Sequence, residues 1–330
     1  MKRTLTIASA IAAALLCQSC AKVEMPGKNT SNKRFFEAWI QVNHPDAQKD
    51  ESGFYIFEKK TGNGLPVGSV ETNPYLVIEY TVTDLDGNIT ETTDEKIAQQ
   101  LGTFSEATYY GPVIALRGYG QMKAGLELLL EDMNVGGTKT AAVPGWFDTS
   151  LRYDNENDYF NNVTGTDYIY SVKVDDVIPD LVAYQIDSIE QYISTNLKVP
   201  ADSAMYGYYY FQTQAPSDTT TIEKSGSVYV NYTGKLLNGM VFDTTDEITA
   251  KDARIHTPGK TYEKYEVELA EDYTEMDTVQ GFSYCVSNMK EGEKGICIFI
   301  SNLGYGGSAQ SSIPAFSPLI FEIEMLGKKK

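Results

Sequence analysis

An α+β protein built from two copies of one unit, each an antiparallel sheet wrapped around a short helix, is the fold class this sequence predicts. Three observations predict it. Leu76, Ile78 and Tyr80 alternate in the manner of a half-buried strand, and Val228, Val230 and Tyr232 do the same 152 residues later. Each of these strands runs into a tight-turn dipeptide, Asp86-Gly87 or Asn238-Gly239, whose backbone tolerates the positive φ of a hairpin. Each copy then carries one helical stripe, Leu126, Leu129, Leu130 and Met133 or Phe282, Cys285, Val286 and Met289. Strands segregated from a single short helix indicate α+β rather than alternating β and α units. The length of 330 residues agrees, since it allows about two domains.

The elements follow in chain order. Lys2 and Arg3 make a positive start, Leu5 to Leu16 an apolar run, and Ser19 a small residue before Cys20. That run is too short to span a bilayer. The pattern resembles a bacterial lipoprotein signal, which implies cleavage before Cys20 and a lipid on its thiol. Cys17 stands where such signals usually have Leu, so Cys17 is the alternative site and a plain secretory signal the alternative reading. Residues 1–19 are thus expected to be the signal and 20–32 a polar tether, followed by a first domain over 33–179 and a second over 180–330. An amphipathic helix leads each domain (Phe35, Phe36, Trp39, Ile40; later Ile186, Ile189, Tyr192, Ile193), and an aromatic strand follows at Gly53 to Phe57 or Gly207 to Phe211. The helical stripes are expected to stop at Gly136-Gly137 and at Gly292. Each copy closes on an alternating strand, Tyr168, Tyr170, Val172 and Val174 or Leu319, Phe321, Ile323 and Met325. Offsets that drift between the copies mean small loop insertions.

Composition narrows the chemistry. With 27 Lys and Arg against 45 Asp and Glu the net charge is -18, which repels phosphate backbones and anionic membrane surfaces, so no nucleic-acid partner is expected. Two histidines, His44 and His256, do not furnish a His-rich metal centre. No metal and no cofactor are expected. The glycines at Gly304, Gly306 and Gly307 lack the Lys-Ser or Lys-Thr of a phosphate loop, and Asp154 to Asp158 lack the Gly and terminal Glu of a calcium loop. Recognition rests instead on 23 tyrosines and 13 phenylalanines, large rings with, in Tyr, a polar handle. After Cys20 the remaining cysteines, Cys285 and Cys297, sit in apolar sequence; the favoured reading is two buried free thiols, with a disulfide as the alternative.

From Val228 to Leu326 the strings VYVNYTGKLLNGMVFDTT, VQGFSYCVSNMKEGEKGICIF, LGYGG and IPAFSPLIFEIEML stand in order. In that order they resemble the FKBP-type peptidyl-prolyl cis-trans isomerases. The resemblance implies a curved antiparallel sheet around one short helix, and a proline pocket. It places Tyr232, Phe242, Asp243 and Tyr305 as the catalytic set, with Tyr265, Val279, Phe282, Ile313 and Phe321 as substrate-binding neighbours. Phe282 occupies the pocket floor, where that family commonly has Trp, and Tyr265 replaces a Phe. It also implies as substrate the X-Pro bonds of proline-containing exported polypeptides, served from the cell envelope by a protein held to its membrane only through the lipid on Cys20. The alternatives are a non-catalytic peptide-binding or holdase lipoprotein, and a subunit of a larger surface assembly. The loop between Tyr305 and Pro314 is too short for the extra domain that chaperone-like relatives insert there.

The first copy departs from the pattern. Tyr80 matches Tyr232, but Thr90 and Glu91 replace Phe242 and Asp243, and Leu126 stands at the floor. A long acidic loop follows Val143, in which Trp146 and Phe147 are expected to be buried as a lid. The expectation is an FKBP-like fold over residues 50 to 178 without efficient isomerase activity.

Overall fold

The structure is a computed structural model that describes residues 28–118, 122–145, 147, 166–217 and 221–329. Cys20, Trp146 and the Asp154 to Asp158 run lie outside the described residues. In the first unit, strands β1 (Gln48–Lys49), β2 (Tyr55–Lys60), β3 (Tyr75–Asp84), β4 (Ile89–Thr92), β5 (Val113–Leu116), β6 (Thr138–Val143) and β7 (Tyr168–Ile178) form one sheet. In the second, β8 (Ser203–Met205), β9 (Tyr208–Gln214), β10 (Gly226–Leu236), β11 (Val241–Thr244), β12 (Tyr265–Leu269), β13 (Lys294–Phe299) and β14 (Leu319–Lys328) form another. The spatial orders are β1-β2-β6-β7-β3-β4, with β5 also on β3, and β8-β9-β13-β14-β10-β11, with β12 also on β10. The two sheets therefore have the same topology, and every pairing is antiparallel. Corresponding registers carry the repeat into space: Ile78 opposes Val113 and Ala141 opposes Tyr170, as Val230 opposes Tyr265 and Cys297 opposes Phe321.

Each sheet covers a short central helix, Ala124–Leu130 or Gln280–Asn288. Leu126, Leu129 and Leu130 are buried in the first core, and Phe282, Cys285 and Val286 in the second. Both helices end before the glycines that the sequence marks. Glu131 and Met289 leave the helical region with ψ near 153° and 156°, and Met133 and Met289 are still buried in the cores. An apolar stripe therefore outlives the helix that starts it. The leading helices run over Lys28–Asn43 and Leu181–Tyr192. Phe36 and Ile40 are buried by the first, whereas Phe35, expected on the same stripe, is 59% exposed. Asp180 caps the second by accepting from the amides of Val182 and Ala183, and a π-helical turn, Ile193–Leu197, prolongs it.

Two short helices absent from the sequence reading, Glu95–Leu101 and Glu247–Asp252, follow β4 and β11 and are capped by Asp94 and Asp246. Cys285 and Cys297 are buried free thiols. Phe147 packs edge-on against Phe54, with ring centroids 4.9 Å apart, at the rim of the first core. Among the described residues no helix is long and apolar enough to cross a membrane, and no cluster of His, Cys, Asp and Glu has metal-binding geometry.

Candidate functional site

The site grows from β10. Residues two apart on a strand share a face, which puts Tyr232 and Gly234 side by side above the central helix. Gly234 has to be glycine, because a Cβ there would lie 2.4 Å from one carbon of the Phe242 ring and 3.1 Å from the Phe321 ring. The vacant space is what lets Phe242, at an irregularity in the β10–β11 pairing, fold its ring back over the sheet. Phe321 then stands at the centre of an aromatic group. Its ring is 5.0 Å from Phe282 and 5.6 Å from Phe242 in edge-on geometry, 6.0 Å from Tyr232, and stacked on Phe299 at 5.9 Å. Tyr232 is also edge-on to Phe282 at 5.6 Å and to Tyr265 at 5.7 Å. Each such ring pair adds about 0.5–1.5 kcal/mol to its burial, enough to hold the rings at fixed angles.

Phe282, at 3% exposure, forms the floor, and Val279 stands at the N-cap of the same helix, partly buried against the same core. Ile313 is buried in that core as well, held in a tight turn in which it and Gln310 exchange both backbone hydrogen bonds. Tyr265 and Tyr305 are the more exposed members of the set, at 41% and 37%.

Polar order comes from Asp243. One carboxylate oxygen accepts from the Tyr232 hydroxyl at 2.5 Å. The other accepts from Lys260 Nζ at 2.8 Å and from the Thr244 amide at 2.9 Å. Burial, and then the hydrogen bond to Asp243, push the Tyr232 phenol well above its ordinary range, so it remains a proton donor across neutral pH. Tyr305 shifts the same way, through burial and then the negative charge of Asp243. Its hydroxyl stays protonated and available to donate. The structure places Tyr232, Tyr265, Phe242, Phe282 and Phe321 in ring contact with one another, Asp243 on the Tyr232 hydroxyl, Val279 and Ile313 in the same core, and Tyr305 close enough to Asp243 and Tyr265 to feel them. It adds three: Gly234, legible within YTGKLLNG only as a turn-prone residue, Phe299 beneath Phe321, and Lys260, for which the sequence holds no spacing signal.

The first domain repeats the frame and changes the lining. By register, Tyr80, Glu91, Val113, Lys123, Leu126 and Tyr170 correspond to Tyr232, Asp243, Tyr265, Val279, Phe282 and Phe321. The Tyr80 hydroxyl donates to Glu91 at 3.4 Å, longer than its counterpart, and burial followed by the Glu91 charge pushes its pKa up to about 12. Val82 replaces Gly234, and Thr90, in place of Phe242, turns its hydroxyl to the Val82 carbonyl. Among the described residues no aromatic side chain takes the place of Phe242 there.

Residues 218–326 match the family model for FKBP-type peptidyl-prolyl cis-trans isomerase. FK506-binding protein 2 of Dictyostelium discoideum is 31% identical over 130 residues, which cover 39% of this chain and 82% of that protein. A probable FKBP-type peptidyl-prolyl cis-trans isomerase of Haemophilus influenzae is 34% identical over 107 residues, 32% of this chain and 36% of that one. Among solved structures, FkpA from Escherichia coli aligns at 22% identity and TM-score 0.33, over 44% of this chain and 57% of its own. The three FKBP domains of wheat FKBP73 align at 15% identity and TM-score 0.30, over 84% of this chain and 95% of theirs.

Proposed function

Because this chain belongs to the family of FKBP-type peptidyl-prolyl cis-trans isomerases, we propose that its C-terminal domain catalyses rotation about X-Pro bonds in extended polypeptides. The barrier to that rotation is about 18–20 kcal/mol, because twisting the bond breaks amide resonance. No covalent bond has to form. At the twisted geometry the imide loses conjugation and charge separation, so a cleft that strips water and grips the ring favours the transition state over either planar form. Phe242, Phe282, Val279 and Phe321 hold the pyrrolidine, Ile313 flanks the backbone, and Tyr305 donates its hydroxyl to a substrate carbonyl. Asp243 fixes Tyr232 and the rim through its three hydrogen bonds.

The observation that carries this reading is the convergence of Tyr232, Phe242, Phe282 and Phe321 on one another beside the Asp243–Tyr232 hydrogen bond. The test is a protease-coupled assay of cis-to-trans conversion on a proline-containing peptide, using the full chain. The wild type should exceed the uncatalysed rate, and Phe242→Ala and Tyr305→Ala should each lower kcat/KM about tenfold or more. Wild-type progress curves that overlay the uncatalysed reaction would overturn the reading in favour of a peptide-binding protein without turnover. The proposal includes location: the charged start, apolar run and Cys20 support export and lipid attachment in the cell envelope, with exported chains as the substrates.

A further inference from the structure

The altered cleft of the first domain is not open to solvent on all sides. A space of about 490 Å³ lies against Tyr80, Glu91, Val113, Lys123, Leu126 and Tyr170 among other first-domain residues, and one side of it is supplied by the second domain. That side consists of Gly307, Ala309, Pro314, Ala315 and Phe316, and Ala315 and Phe316 also pack in an apolar cluster with the first domain. Phe316 is 9% exposed and forms one apolar cluster with Val77, Ile178 and Leu181. Its ring sits edge-on to Tyr75 of β3, with centroids 5.2 Å apart.

Phe316 adopts φ of 61°, a left-handed conformation that is strained for a non-glycine residue and persists only where neighbours enforce it. The Phe316 amide donates to the Gly306 carbonyl at 2.7 Å. Its carbonyl accepts from Gln185 Nε2 at 2.8 Å, and Gln185 also bonds the Ser301 hydroxyl and amide at 3.0 and 2.8 Å. Gln185, 1% exposed, thereby ties the two ends of the segment that carries Tyr305 and Ile313. Gly307 lets the Phe316 ring lie over the backbone, since a Cβ there would come within 2.9 Å of it.

We propose that the outer face of β3 in the first domain, at Tyr75 and Val77, is a receptor for the second domain's own 307–316 loop, which borders the cleft from that side, and that Tyr75, Phe316 and Gln185 are positioning residues which set Tyr305 and Ile313 for substrate. The first domain thus acts in the reaction without catalysing it. The claim about substrate rests on the isomerase reading above, whereas the docking itself does not.

The test compares full-length wild type, Tyr75→Ala, Tyr75→Phe and Phe316→Leu by amide hydrogen exchange and by the proline-peptide assay. Tyr75 lies in the first domain, away from the catalytic hollow. Tyr75→Ala and Phe316→Leu should speed exchange across residues 305–317, leave β10 and β14 protected, and lower kcat/KM about tenfold, mostly through KM. Tyr75→Phe, which keeps the ring, should behave as wild type. Unchanged exchange over 305–317 in both altered chains, or faster exchange there with kcat/KM unmoved in an active enzyme, would overturn the proposal. If Tyr75→Ala loses protection throughout, Phe316→Leu decides by the same criteria. If the wild type has no isomerase activity, the isomerase reading falls and exchange alone decides the docking: faster exchange supports it, and unchanged exchange overturns it.

Discussion

Gly234 and Phe242 form a complementary pair, an absent side chain beneath a large ring, and Val82 with Thr90 is the same pair inverted in the first domain. Phe242 was legible in the sequence, because Phe-Asp follows YTGKLLNG at the spacing of a known family. Its supporting glycine was not, since what it avoids lies across a strand pairing rather than beside it in sequence. Lys260 was illegible for a similar reason: it meets Asp243 only because the chain returns through an irregular segment. The size pair makes a prediction. Gly234→Ala places a methyl 2.4 Å from the Phe242 ring and 3.1 Å from the Phe321 ring, so the Phe242 ring has to move. Overpacking of this kind costs about 1–3 kcal/mol, and displacing the wall should also lower kcat/KM about tenfold. Denaturant unfolding and the peptide assay check both parts. A variant of wild-type stability and activity would show that Phe242 does not need the space.

Strands and helices were legible where burial is one-sided. β10 reads apolar at Val228 and Val230 because one face meets the core, and both are fully buried. The helix Glu247–Asp252 was not legible: it is six residues long, with Ala250 its buried residue, too little for a periodic stripe. Its signal is the cap, Asp246, which accepts from the amides of Ile248 and Thr249. The same chemistry matters more at Asp180, whose helix Leu181–Tyr192 sends Leu181 and Tyr184 into the cluster with the first domain's Val77 and Ile189 into a cluster of the second domain. Asp180→Ala removes acceptors for two amides and should cost about 1 kcal/mol. For units of this size that is a fall in Tm of about 2–4 °C, measurable by calorimetry. Asp180→Asn retains the acceptor and should recover most of the loss; equal Tm values for all three chains would mean that the cap contributes nothing.

At the scale of the whole molecule, the duplication was visible in sequence and the contact between its halves was not. Val77 breaks the alternation of β3, since Leu76, Val77 and Ile78 are all buried. From sequence that run reads as a strand covered on both sides, with nothing to say what covers the second face. The cover is Ile178, Leu181 and the Phe316 of the other domain. One ion pair, Arg254 with Glu106 at 2.7 Å, also joins the halves, but both side chains are solvent-exposed, at 74% and 39%, where such a pair is worth about 0–1 kcal/mol. Apolar packing must therefore carry the association. Ile178 is fully buried in this interface cluster and belongs to neither sheet-and-helix core, so Ile178→Ala should cost about 2–5 kcal/mol of coupling between domains. Calorimetry should then resolve the unfolding of the two domains into separate transitions, while Glu106→Gln leaves the wild-type profile in place. The reverse ranking, with the ion-pair variant uncoupling the halves and Ile178→Ala silent, would mean that charge rather than apolar burial joins them.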